Sequence, residues 1–155
     1  MRQLFVEWSD ELSVGIQEID EQHKILINLI NRLFDETVLN EADPLVIDKI
    51  MSELVEYTVV HFAVEESLFR MFDYPEIDAH IDHHHDLKMQ VFEIQKKIKI
   101  DPSIVNTELL IFLKKWLENH IQKEDKLYAS FLIKQGVKSL WAKKSWLGQI
   151  WKSHK

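Results

Sequence analysis

Cysteine is absent from the 155 residues. Disulfides and thiolate ligands are therefore excluded, and any transition metal must be held by imidazole and carboxylate. Glycine and proline are scarce, at three each, which disfavours turn-rich β structure and favours long helices. The opening MRQLFVEWSD has no apolar run of signal-peptide length, and no stretch approaches a membrane span, so a cytoplasmic location is expected. Basic charge is thin over most of the chain. Outside residues 137–155 there are 14 basic against 26 acidic side chains, an acidic body that argues against nucleic-acid binding.

Apolar residues make up 46% of the chain, enough for one domain with a proper core. Their spacing is helical. Ile19, His23, Leu26, Ile27, Ile30, Leu33 and Phe34 form a stripe that predicts a helix from Asp20 to Val38. Asp43-Pro44 reads as an N-cap followed by proline at the first helical position. The second helix runs on through Ile47, Leu54, Tyr57, His61, Glu65, Leu68 and Phe72, and stops at Asp73-Tyr74-Pro75. A third carries Ile77, His80, His84, Leu87, Val91, Ile94 and Ile98. Asp101-Pro102 repeats the start signal, and a fourth helix carries Leu110, Leu113, Leu117, His120, Ile121, Leu127, Tyr128 and Phe131 up to Gly136. Four amphipathic helices with short connections predict an all-α, antiparallel up-down-up-down four-helix bundle over residues 1–136, led by an N-terminal arm.

Residues 137–155, VKSLWAKKSWLGQIWKSHK, differ in character, with five lysines, three tryptophans and no acid. Two readings compete: a short fifth helix packed back on the acidic bundle, or a docking element for a membrane surface or a partner protein. Packing is preferred, because three exposed tryptophans would make a costly apolar patch on a monomer.

Histidines and carboxylates recur on the apolar stripes: His23, His61 with Glu65, His80 with His84, and His120 with Asp125. A spacing of four stacks two side chains on one helical face, so His61 and Glu65 can reach one point, as can His80 and His84. His120 and Asp125 are five apart, which separates them by roughly 140° on a regular helix. They share a cluster only if Asp125 reaches sideways or if a single-turn π-bulge restores the register. Any one of these histidines alone would be read as a satisfied core residue. Five imidazoles and two carboxylates in one core, without metal, would leave several buried groups unpaired at about 1–3 kcal/mol each. His83, His85 and His154 fall on other faces and are expected at the surface. Glu66 points about 100° away from Glu65 and is expected to be exposed or to hydrogen-bond a ligand.

With these residues in view, the chain resembles the hemerythrin family, specifically its single-domain bacterial members. The resemblance rests on Asp20-Glu21-Gln22-His23-Lys24, His61-Phe62 with Glu65-Glu66, Tyr74-Pro75 followed by His80 and His84, and Trp116-Leu117 with His120-Ile121 and Asp125-Lys126. Trp8 and Val14-Gly15-Ile16 are similar to the family's N-terminal arm, and the likeness spans roughly residues 8–132. It implies two iron ions with an oxo or hydroxo bridge. One would be held by His80, His84 and His120, the other by His23 and His61, with Glu65 and Asp125 bridging. Counting ligands leaves one open octahedral position, on the iron held by His23 and His61, where dioxygen would bind. Trp116, Leu117 and Ile121 around the His120 turn, with Leu26 and Phe62 toward the other wall, are expected to line the O2 pocket.

Neutral imidazoles outnumber carboxylates five to two in this set. Di-iron oxidases of helical bundles use mostly carboxylates, so the balance here favours the ferrous pair and a reversible cycle. The expectation is an oxygen carrier, store or scavenger that is not an enzyme and is a monomer. The alternatives are an O2 or redox sensor acting through a partner, and a di-iron enzyme handling peroxide or nitric oxide.

Overall fold

The computed structural model describes residues 4–136. The expected boundary after residue 136, and both readings of the tail at 137–155, lie outside the described residues. Within them the chain is helical and builds the expected four-helix bundle, with helix α1 at Gln17–Phe34, α2 at Pro44–Met71, α3 at Ile77–Ile100 and α4 at Thr107–Asn119. A π-helical turn, His120–Asp125, continues α4 into α5 at Lys126–Lys134. The first helix also ends in a π turn, Asp35–Leu39.

The helix boundaries reflect local chemistry. Asp43 accepts a hydrogen bond from the Leu45 amide (2.9 Å), with Pro44 at the first helical position. This satisfies one of the free N–H groups of the opening turn. The second helix ends where Asp73 takes a left-handed φ of 52° before Tyr74-Pro75. Asp101-Pro102 behaves otherwise than expected. Asp101 accepts from the Ser103 amide at 3.1 Å and caps only a short 3₁₀ turn, Pro102–Ile104. The fourth helix starts at Thr107, capped by Asn106 through the Leu109 amide at 3.0 Å. The first helix begins at Gln17, three residues ahead of the expected Asp20, because the Asp20 carboxylate turns back to accept from Ser13 Oγ (2.6 Å) and the Val14 amide (2.9 Å).

The N-terminal arm is tied down. Asn31 on α1 accepts from the Val6 amide at 2.8 Å and donates to the Val6 carbonyl at 2.9 Å, and both residues are buried. Phe5 stacks on Phe34 with centroids 4.6 Å apart, and Lys114 Nζ donates to the Phe5 carbonyl at 3.2 Å. Gly15 sits at φ +83°, where a Cβ would come within 3.3 Å of Ile133 Cδ1. A glycine is needed there both for the backbone and for the close approach to α5.

The core runs along the bundle axis, through Ile19, Leu26, Ile30 and Leu33 of α1, Ile47, Met51, Leu54 and Leu68 of α2, Val91 of α3 and Leu110, Leu113 and Leu117 of α4. One expected core position is not in it. Leu127 is exposed, since the extra residue of the His120–Asp125 turn brings Tyr128, Ala129 and Leu132 inward instead.

Candidate metal centre

All seven expected ligand residues are buried, and they meet in the bundle interior. Each helix contributes in its own way. His23 comes from the first half of α1. His61 and Glu65 stack one turn apart on α2, and His80 and His84 one turn apart on α3. His120 opens the π turn and Asp125 closes it. Of the two routes left open for a spacing of five, the chain takes the wider turn, which accommodates one more residue and returns Asp125 to the inner face.

Two groups of ligand atoms form, each with its atoms within 4.8 Å of one another: His23, His61, Glu65 and Asp125, and then Glu65, His84, His120 and Asp125. Both carboxylates belong to both groups. The distances show the sharing. Asp125 Oδ2 lies 2.8 Å from His23 Nε2, and Asp125 Oδ1 lies 3.0 Å from His120 Nε2. Glu65 Oε1 lies 3.3 Å from His61 Nε2 and 3.2 Å from His84 Nε2. His80 Nε2 stands further off, 3.6 Å from Asp125 Oδ1, and is in neither group.

The donor set fits metal ions. Glu65 Oε1, both Asp125 oxygens and the Nε2 atoms of His80, His84 and His120 are buried without a hydrogen-bond partner among the described residues. His23 Nε2 and His61 Nε2 face each other at 3.0 Å. Lone pairs turned toward one small volume from four directions would be costly unless a cation satisfied them.

The far sides of the rings are held. His61 Nδ1 is hydrogen-bonded to Gln22 Oε1 at 2.6 Å, His84 Nδ1 to Glu66 Oε2 at 2.8 Å, and His120 Nδ1 lies 3.4 Å from His83 Nε2. Tyr128 donates a short hydrogen bond to Glu65 Oε2, the oxygen away from the imidazoles. Such partners fix ring orientation and the tautomer that leaves Nε2 free. Gln22 and Tyr128 were not singled out from sequence as site residues. The available signals were adjacency to His23 and the three-residue step from Asp125. Glu66 takes the ligand-bonding option. His83 corrects an expectation: it is half-buried rather than a plain surface residue, because α3 leans its ring over His120 (centroids 5.5 Å apart). His85 is exposed as expected, and His154 lies outside the described residues.

Electrostatics here come from burial and pairing. Burial pulls the His61 imidazole down to about 3 despite the attraction of Glu65, and His23 adds to the fall. Burial also works against a charged His120, but the close Asp125 carboxylate outweighs it and lifts that imidazole to about 10. Burial and the Asp125 charge push the Glu65 carboxyl up; His61, with the nearby imidazoles of His120 and His84, overcomes both and holds it low. Burial likewise opposes the Asp125 anion, which His120 keeps well below the usual range. Burial, then the charges of Glu65 and Asp125, raise the Tyr128 phenol well above its ordinary value, so it stays a donor. Two buried anions facing the raised His120 and His84 imidazoles are a balance that cations would also satisfy.

The expected pocket residues are all buried. Phe62 lies on a different wall from the one expected. Its ring stacks on His84 at 3.9 Å and meets His120 at 5.1 Å, while His61 is 5.9 Å away. One step along α2 turns it about 100° from His61, toward α3 and α4.

Comparison with known proteins agrees with this geometry. The sequence profile described as the Hemerythrin HHE cation binding domain matches residues 14–132. A bacteriohemerythrin of Stenotrophomonas maltophilia is 35% identical over 123 residues, covering 79% of this chain and 78% of its own. A bacteriohemerythrin of Methylococcus capsulatus is 32% identical over 122 residues, covering 79% of this chain and 92% of its own. A solved wild-type hemerythrin superposes with a TM-score of 0.76 at 31% identity, covering 83% of this chain and 98% of that one.

Proposed function

The chain belongs to the hemerythrin family, and from that premise we propose that it holds two iron ions and binds dioxygen reversibly, as a carrier, store or scavenger and not as an enzyme. The observation that carries this reading is the sharing of Glu65 and Asp125 by two ligand groups. Two carboxylates common to two imidazole sets are what a bridged pair of ions needs. In this reading His23 and His61 serve one ion, and His84 and His120, joined by His80, serve the other. When bound, such a pair supplies two electrons to O2 and takes them back on release.

The rest is done by the chain. Gln22, Glu66 and His83 hold three imidazoles by their outer nitrogens, so Nε2 faces inward. Tyr128 holds one Glu65 oxygen, leaving Oε1 for the ions. The fewer imidazoles on the His23–His61 side leave room there for a small ligand. Leu26, Leu117 and Ile121 are almost without solvent exposure, and Trp116 nearly so. We assign them, with Phe62, to a wall that keeps water from bound oxygen, since a dry apolar surround hinders proton delivery and irreversible oxidation. The ratio of five imidazoles to two carboxylates supports a reversible cycle over oxidation of a substrate.

The deciding experiment is an optical spectrum of anaerobically reduced protein, then of the same sample in air, then after degassing, alongside metal analysis. A charge-transfer band that appears with air and disappears on degassing, with near two irons per chain, is the expected result. One zinc per chain without iron, or a band that never reverses, would sink the reading.

A further inference from the structure

A surface pocket of about 380 Å³ opens beside the buried cluster, at the junction of α3, α4 and the π turn. Its volume is in the range of small-molecule sites. Leu87, Phe112 and Trp116 supply apolar surface, and the Phe112 ring is 43% exposed. Lys115 and Lys123, both exposed, stand at the rim with Glu124 as the acid among the lining residues. Two further features set this pocket apart. The indole Nε1–H of Trp116, in a residue only 7% exposed, has no acceptor among the described residues. The pocket also touches the cluster, because His83 and His120 both line it.

That contact is a path. The seven cluster residues are otherwise closed off, none more than 4% exposed. His83 is the ring that joins His120 to the outside, with Nε2 3.4 Å from His120 Nδ1 and the two rings 27° from parallel. Two imidazoles in contact give electrons a short route through an otherwise insulating wall. A centre that lends electrons to O2 sometimes loses them, and then needs a donor.

We propose that this pocket docks an anionic aromatic reductant of the reduced flavin mononucleotide kind, whose electrons reach the metal centre through His83 and His120. The ring would lie against Phe112 and Leu87, the phosphate would meet Lys115 and Lys123, and a ring carbonyl would accept from Trp116 Nε1. The reduced flavin anion gives up two electrons and one proton and leaves oxidised. One electron goes to each of the two ferric ions, and the proton goes to solvent at the pocket mouth. The inference rests on the O2 reading in one respect, since only a centre that cycles between ferric and ferrous has use for a donor.

The test has two measurements on the full-length, iron-loaded chain. First, flavin mononucleotide is titrated anaerobically and its fluorescence monitored, with riboflavin as the uncharged counterpart. Saturable quenching that weakens at least tenfold in K115E/K123E, and is weaker for riboflavin, is expected. Identical curves for the wild type and K115E/K123E would overturn the pocket as the site and point to the lysines of 137–155 instead. Second, ferric protein is mixed with reduced flavin mononucleotide in stopped flow. His83 lines the pocket, so its variants are compared at saturating flavin: His83→Ala should slow the limiting rate of reduction at least tenfold, beyond any change in flavin affinity; if that variant loses iron, His83→Phe, which keeps a ring in place but has no Nε2, is read instead. An unchanged rate removes His83 from the route and overturns the proposal. Flavin binding without reversible oxygenation would sink the O2 reading and leave the docking site standing; reversible oxygenation without flavin binding does the reverse.

Discussion

Helix α2 and the last helical arm both deliver a histidine and a carboxylate to the same centre, by opposite means. His61 and Glu65 come from an uninterrupted α-helix and meet because four residues make about one turn. His120 and Asp125 are five apart and meet because the helix widens for one turn and then resumes. The difference teaches where register is stored. On α2 it is stored in the spacing itself, so a single residue gained or lost rotates everything beyond it by about 100°. On the last arm it is stored in a π turn that already contains one residue more than an α-helix needs.

The sharpest way to test that contrast is to delete one exposed residue from each. Removing Ala63, which lies between His61 and Glu65, should have the largest effect. Glu65, Leu68 and Phe69 all leave the interior, and the protein should be recovered metal-free and unfolded, read by iron content and circular dichroism. Folded, iron-containing protein from that deletion would mean that α2 can form a π turn of its own.

Next in size come the ligands. His61→Ala or His120→Ala should lose iron and lower Tm by several degrees. Each buried group left unpaired costs on the order of 1–3 kcal/mol, and about 1 kcal/mol moves Tm by about 2–4 °C for chains of this size. His85→Ala, at an exposed position on α3, should do neither. Equal iron loss in His85→Ala would show that the helical phase of α3 is misassigned.

A loss of stability with iron retained, and a clear effect on oxygen chemistry, is expected of Leu117→Ala. The cavity should cost about 2–5 kcal/mol, and water reaching the centre should hasten decay of the oxygenated band in stopped flow. An unchanged lifetime would leave Leu117 as packing and remove it from the wall around oxygen.

The smallest effect closes the comparison. Deleting the exposed Lys123 from the π turn should convert it to α-helix, keep His120 and Asp125 on one face and preserve Tyr128, Ala129 and Leu132 inside. Fold and Tm should change little, with iron retained more weakly because Asp125 is drawn back along the axis. Complete unfolding, as for the Ala63 deletion, would show that the turn is required by packing and not only by the ligands.

The same contrast explains how much was legible beforehand. The bundle and its ligand pairs on α2 and α3 could be read because period, proline-marked caps and a step of four all point one way. The π turn could be named only as one of two options, since a spacing of five says that register must be repaired without saying how. Leu127 falls on the core stripe only if an α-helical period is carried through the π turn that breaks it. Asp101-Pro102 looked like the opening of a long helix and caps a single 3₁₀ turn, since an N-cap signal does not encode the length of the helix it opens. Partners across helices were the least visible. Tyr128 on Glu65 and His83 on His120 depend on how α3 and α5 lean, which no local pattern records.

The clasp between Asn31 and Val6 has a use at the bench. The Val6 amide proton is held by a side chain and not by a helix or a sheet, so its exchange with deuterium reports one event only, the lifting of the arm from α1. Measured beside amides in mid-α2, that single proton separates the peeling of the arm from the melting of the bundle, and shows which of the two iron release sets in motion.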